Sequence, residues 1–156
     1  MQEVAIITGA SGGIGYEIAL LFAQKKIDIL IVAKSKRKLE KIKSAIEQQY
    51  NITVFCVATD VASSEGFVDI NNFVISNKLS VNYLVNNAGF GDYGFFTERT
   101  MKKYSEMLGL KINSLTELTY YYAKQMIKNG KGRIVNVASN AGIQFFKLQV
   151  FVYVTK

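Results

Sequence analysis

The sequence predicts a doubly wound α/β fold, with a parallel sheet of about five strands and helices on both faces. Three observations carry that expectation. Short apolar runs alternate with longer amphipathic stretches along the chain. The short runs are apolar almost without a break, as in strands buried on both faces. A glycine-rich turn stands directly between the first run and the first amphipathic stretch. Right-handed crossovers leave few ways to connect such units. In a doubly wound sheet the ligand site lies beyond the carboxyl ends of the strands, at the switch point, so chemistry-bearing motifs should fall at strand ends.

Val4 to Thr8 is short and β-branched, which marks a buried strand. A helix follows from about Gly13 to Lys25, with Ile14, Ile18, Leu21 and Phe22 at helical spacing. Ile27 to Ala33 is the second strand. Ser35 to Tyr50 is a charged amphipathic helix with Leu39, Ile42 and Ile46 on one face. Ile52 to Val57 is the third strand, and Ser63 to Ser76 a helix with Phe67, Ile70 and Val74 inward. Val81 to Val85 is the fourth strand. Glu98 to Lys128 is helical throughout, as one helix or as two meeting near Gly109. Asn129-Gly130-Lys131-Gly132 is a turn, and Arg133 to Ala138 the fifth strand. With no proline, the 12 glycines carry most of the turn punctuation.

Composition bounds the function. The 156 residues are expected to form one domain, 1–156, and 49% hydrophobic against 20% charged is a globular balance. There is no histidine, which excludes Ser-His-Asp, Cys-His and HExxH mechanisms together. The lone Cys56 lies in the apolar run Val54-Phe55-Cys56-Val57 and reads as a small core residue rather than a nucleophile. It cannot form an internal disulfide or a cysteine-rich zinc site, and no metal is expected. No apolar run approaches the roughly 18 residues of a membrane span, and the first residues lack a basic leader. A soluble, cytoplasmic protein without a membrane partner is expected.

The net charge is +7, and residues 25–43 alone hold eight basic side chains against Asp28 and Glu40, a local +6. A solvated helix face and an anion pocket beside Lys34 both account for it. A nucleic-acid surface would need binding that falls steeply with salt, and no nucleic-acid partner is expected.

The strand ends carry the chemistry. Thr8-Gly9-Ala10-Ser11-Gly12-Gly13-Ile14-Gly15 lies between the first strand and its helix. Gly9 permits the tight turn, Gly13 lets backbone approach a pyrophosphate, and Gly15 lets helix pack on strand. The phosphates would rest on free N–H groups at the helix N-terminus. The second strand ends Ala33-Lys34-Ser35, where a site for NAD usually carries an acid for the ribose 2′-hydroxyl. Lys34 stands there instead. A cation pairs with a 2′-phosphate, so NADP(H) is favoured over NAD(H), unless Lys34 merely faces solvent. After the third strand, Asp60 of Thr59-Asp60-Val61 can accept from an adenine amino group or cap a helix. After the fourth, the small residues of Asn86-Asn87-Ala88-Gly89 let a cofactor ribose lie against backbone, or form a plain asparagine turn.

Together these motifs resemble the short-chain dehydrogenase/reductase family. The matching elements are the Thr8–Gly15 glycine motif, Asp60-Val61, Asn86-Asn87-Ala88-Gly89, Asn113 in Lys111-Ile112-Asn113-Ser114, and Ser139 in Val135-Asn136-Val137-Ala138-Ser139, all in the family's order. The resemblance runs from about residue 4 to the end. It implies a Rossmann-type sheet. It implies that Gly9, Ser11, Gly12, Gly13, Ile14 and Gly15 line the pyrophosphate and that Asp60 and Val61 contact adenine. Asn87, Ala88 and Gly89 would flank the adenine-side ribose and hold the central strand.

The family's catalytic set is Asn, Ser, Tyr and Lys, which the resemblance assigns to Asn113, Ser139, Tyr153 and Lys156. A ketone that receives hydride becomes an alkoxide and needs a proton donor and a polarising hydrogen bond. Tyrosine donates once a neighbouring ammonium lowers its reference pKa of about 10. The lysine also binds the nicotinamide ribose, the serine bonds the substrate oxygen, and the asparagine anchors a water leading from the lysine to solvent. Here the pattern departs. The family places tyrosine thirteen after the serine and four before the lysine, and both spacings fall on Val152. Tyr153 is three before Lys156, still a helical neighbour but turned by roughly 100° about the axis. It serves as the donor or packs as an ordinary aromatic.

Family members continue past this lysine, so a chain truncated after about five strands is expected, with the substrate-covering part absent. Residues 145–154 are apolar and β-branched, strand-like as much as helical. Two functions follow: an oxidoreductase moving hydride between NADP(H) and a small carbonyl or alcohol, or an inactive cofactor-binding remnant. Helices within 98–128 resemble the family's subunit interface and imply a homo-oligomer.

Overall fold

Five parallel strands form one sheet in the order β3-β2-β1-β4-β5. The computed structural model describes residues 1–92 and 95–139. The strands are β1 (Gln2–Thr8), β2 (Asp28–Ala33), β3 (Val54–Ala58), β4 (Leu79–Asn86) and β5 (Arg133–Asn136). Each crossover between them contains a helix: α1 (Gly13–Gln24), α2 (Lys36–Gln49), α3 (Ser64–Ser76), then α4 (Met101–Leu108) and α5 (Leu115–Lys128). This is the doubly wound architecture that the alternating pattern predicts. The order reverses between β1 and β4, which puts the switch point there.

Successive residues of β1 serve opposite faces. Val4 and Ile6 join Leu30, Val32, Ile70, Leu84 and Leu118 beneath α3 and α5. Ala5 and Ile7 join Ile29, Ile31, Leu39 and Ile46 beneath α1 and α2. With both faces covered, the central strands are apolar throughout rather than at alternate positions.

Two helical expectations need correcting. Helix α1 does form, but the residues it buries are Gly15, Ala19 and Ala23, while Ile14 and Leu21 are exposed and Phe22 is partly buried. A stripe of small residues lets the helix axis approach the sheet more closely than branched side chains would. The stretch expected as helix from 98 to 128 is instead a short 3-10 turn at Phe96–Glu98, α4, a π-helical turn at Gly109–Ser114 and α5. The break falls at Gly109, near the anticipated junction, as a bulge within continuous helix. The ladder of β5 ends at Asn136, two residues before the expected Ala138, although Val137 N still donates to Asn86 O at 2.9 Å.

Helix α3 starts hard against the end of β3. A Cβ on Gly66 would stand 2.5 Å from Asp60 O and 2.8 Å from Val61 Cα, both backbone atoms. Gly66→Ala is therefore expected to cost about 1–3 kcal/mol. Urea unfolding checks this, and an unchanged midpoint would show that the helix can back away freely.

Candidate functional site

The site is built where β1 and β4 end side by side, at the pair Ile7 and Val85. Thr8, almost fully buried, uses its whole hydroxyl there. Thr8 Oγ1 donates to Val85 O at 3.2 Å and accepts from Asn87 N and Ala88 N at 3.0 Å each. Asn87 Nδ2 donates back across the gap to Thr8 O at 2.9 Å and Gly9 O at 3.3 Å. The two strand ends are thus stitched by side chains where their ladder stops.

That closeness dictates glycine. Gly9 is in the left-handed region with φ 68°, and a Cβ on it would stand 2.8 Å from Ala88 Cα. A Cβ on Gly15 would meet Gly9 O at 2.5 Å and collide with Asn87 Nδ2. Gly12 and Gly13 differ: nothing lies within 4 Å of where their Cβ atoms would be. The N-cap of α1 is Gly12, which has no side chain to cap with. By contrast Ser35 and Thr100 accept from Lys38 N and Lys103 N at the starts of α2 and α4. The first N–H groups of α1 are left without a side-chain partner at the positive end of the helix.

They open on a cavity of about 450 Å³ lined by Ser11, Gly12, Ile14, Asn87 and Ser139 among others. A second cavity, about 340 Å³, is lined by Lys34, Ser35, Lys38, Asp60, Val61 and Leu110 among others. The two share Gly9, Ser11, Ala88 and Gly89, so they form one cleft across the strand ends. The binding residues assigned from sequence at the glycine motif and the strand ends line this cleft, except the exposed Gly13 and the buried Gly15.

At its far end Lys34 Nζ is 2.7 Å from Asp60 Oδ2. Lys34 is thus both solvent-exposed and ion-paired. Asp60 Oδ1 accepts from Ala62 N at 3.0 Å and closes its own turn, while Oδ2 is the atom paired with Lys34; the N-cap of α3 is Ser63, not Asp60. Ser63 Oγ and Ser63 N both donate to Asp60 O at 2.9 Å and hold the turn rigid.

Asn113 is exposed on the π-helical turn and lines neither cavity, whereas Leu110 of the same turn walls the Lys34 end. Tyr153 and Lys156 lie outside the described residues. Sequence reasoning missed the lock made by Thr8, the contribution of Ser35 and Lys38, and Leu110. The pattern Ser35-x-x-Lys38, an N-cap and the residue whose N–H it accepts, could have signalled the second; nothing local marks Leu110. Cys56 is half-buried, and burial pushes its thiol up to about 11, unlike an activated nucleophile. Among the described residues no helix is long and apolar enough to cross a membrane.

The sequence matches the family model described as short chain dehydrogenase over residues 3–155. The chain belongs to the short-chain dehydrogenase family. Among its relatives is the very-long-chain 3-oxoacyl-CoA reductase of Homo sapiens, 26% identical over 147 residues, which cover 92% of this chain and 46% of that protein. The L-sorbose reductase of Gluconobacter frateurii, solved with NADPH and L-sorbose, is 31% identical with a TM-score of 0.92, covering 97% of this chain and 58% of that one. A short-chain dehydrogenase of Sphingobium yanoikuyae in complex with NADPH is 26% identical with a TM-score of 0.91, covering 100% and 61%. This short-chain dehydrogenase chain thus spans about half the length of the curated relative and somewhat more of the two solved ones. The stitched strand ends of this short-chain dehydrogenase should also govern its stability. Asn87→Ala, which strips Nδ2 from Thr8 O and Gly9 O, is expected to lose about 1–3 kcal/mol in chemical unfolding. A loss below about 0.5 kcal/mol, the ordinary surface effect, would show that the stitch is dispensable.

Proposed function

We propose that the chain binds NADP(H) along the cleft, as one nucleotide-binding domain over residues 1–156. It would act in an oxidoreductase that moves a hydride between NADP(H) and a carbonyl or alcohol. The observation that carries this reading is the amino end of α1: uncapped N–H groups and the Cβ-free backbone at Gly12, opening on the shared cleft. Such a surface suits a pyrophosphate, which needs donors, positive potential and close backbone approach. Asp60 and Val61, on the wall of the Lys34 end, would receive the adenine, and the methyl of Ala88 and the bare backbone of Gly89 would leave room for the adjoining ribose. Lys34 exchanges its Asp60 partner for a 2′-phosphate, with Lys38 on the same wall as a second cation. NADPH in the two solved relatives supports the same choice.

When bound, the nicotinamide supplies or accepts the hydride. The remaining roles follow the family pattern. Ser139 Oγ, on the cavity at the α1 end, hydrogen-bonds the substrate oxygen. Tyr153 Oη donates the proton that this oxygen needs as the carbonyl becomes an alcohol, and the Lys156 ammonium makes that donor usable near neutral pH. Asn113 holds the water that returns a proton through Lys156. A second reading, cofactor binding without turnover, is favoured by Val152 at the position where both family spacings place the tyrosine.

Two measurements test this. Titrating NADPH and NADH against the fluorescence of the nine tyrosines should show saturable, tighter binding of NADPH. Lys34→Ala should weaken NADPH about tenfold or more while leaving NADH nearly unchanged. A flat titration, or equal losses for both nucleotides, would reject the assignment. Gly12→Ala should change stability by less than about 1 kcal/mol, because its Cβ enters open space, yet weaken both nucleotides by intruding on the phosphate cradle. Oxidation of NADPH with a panel of carbonyls, abolished in Tyr153→Phe, separates the enzyme from the inactive binder; coincident rates remove Tyr153 from the mechanism.

A further inference from the structure

The π-helical turn Gly109–Ser114 is the one helical segment of the cleft that is not wound with ordinary α geometry among the described residues. A π-turn carries an extra residue within the helix and persists only where tertiary contacts hold it. Those contacts are specific. Ser114 is 7% exposed, and its Oγ reaches two carbonyls: Val61 O, 53 positions earlier, and Gly109 O at 2.8 Å. The hydroxyl has one hydrogen, which these two acceptors share. The contact with Gly109 O ties the hydroxyl to the start of its own turn. On the same side Gly109 packs on Ala62, where a Cβ would lie 3.2 Å from Ala62 O. The turn is therefore fastened to Asp60–Ala62, the loop whose Asp60 and Val61 face the cavity. It carries Leu110 into the wall of that cavity and Asn113 three residues on.

We propose that Ser114 is a positioning residue. Its hydroxyl clamps the π-turn to the loop after β3, which sets Leu110 against the nucleotide cavity and fixes the rotation at which Asn113 leaves the helix. The loop after β3 and the π-turn are thereby coupled through one side chain: displacement of the Asp60–Val61 loop is passed to the turn that bears Asn113. The identity of the ligand rests on the NADP(H) reading above; the clamp itself does not.

Ser114→Val and Ser114→Thr separate the hydroxyl from the shape, since threonine keeps the donor and valine replaces it with a methyl. Without any nucleotide, hydrogen exchange at residues 109–114 should accelerate about tenfold or more in the valine variant and stay near wild type in the threonine variant. NADPH should bind about five- to tenfold more weakly to the valine variant, with threonine restoring the affinity. Val74→Ala, a core change elsewhere on α3, supplies a destabilised control whose NADPH affinity is expected to be unchanged. Should the valine variant fail to fold, Ser114→Cys is measured in its place; a thiol is a weaker donor, so intermediate exchange is expected. Equal exchange in the donor and non-donor variants would overturn the clamp. So would a loss of NADPH affinity in Val74→Ala as large as that caused by removing the hydroxyl. If the wild-type chain does not bind NADPH, the functional proposal fails, and the exchange comparison still decides the clamp.

Discussion

One buried hydroxyl, that of Thr8, holds together the two strand ends between which the cleft opens. It donates to the end of β4 and receives both N–H groups of the turn that leaves it. A buried group that lost these partners would carry an unmet hydrogen-bonding demand, so the turn after β4 has little freedom to move away. The other constraints descend from this closeness. Gly9 and Gly15 must lack side chains because Ala88 and Asn87 occupy the space. With Gly15, Ala19 and Ala23 as its buried face, α1 lies low on the sheet, and its amino end comes to the mouth of the cleft.

Charge is distributed along the cleft in two unlike forms. At the α1 end it is the partial charge of aligned peptide groups, fixed in place and indifferent to pH. At the β2 end it is the full charge of a lysine ammonium paired with Asp60. The first suits the invariant diphosphate of any dinucleotide. In the proposed reading the second is the part that discriminates, because an ammonium already paired with a carboxylate would turn to a more highly charged phosphate in the same place. The local basic excess of residues 25–43 therefore divides: Lys34 and Lys38 line the cleft, and the exposed Arg37 and Lys41 of α2 are simply solvated.

Much of this was legible in the residues. The strands appeared at the right places because burial on both sheet faces leaves an uninterrupted apolar run. The glycine motif was legible because its spacing reflects a turn, a close approach and a packing contact. The face of α1 was not: hydropathy marks Ile14 and Leu21 as candidates for burial, whereas close packing chose alanine and glycine. The π-turn was sensed only as a junction near Gly109, since its winding depends on Ser114 reaching a loop 53 positions away. Lys34 and Asp60 were recognised separately, but nothing local says that they meet.

The sequence by itself determined the order and type of the strands and helices, and the residues that end each strand, because periodicity and backbone permissiveness are local properties. Tertiary structure decided which of those residues face one another: Thr8 with Asn87, Lys34 with Asp60, Ser114 with Val61. Each pair joins separate strand ends or helices, and only the parallel sheet, by bringing all its carboxyl ends to one rim, makes them neighbours.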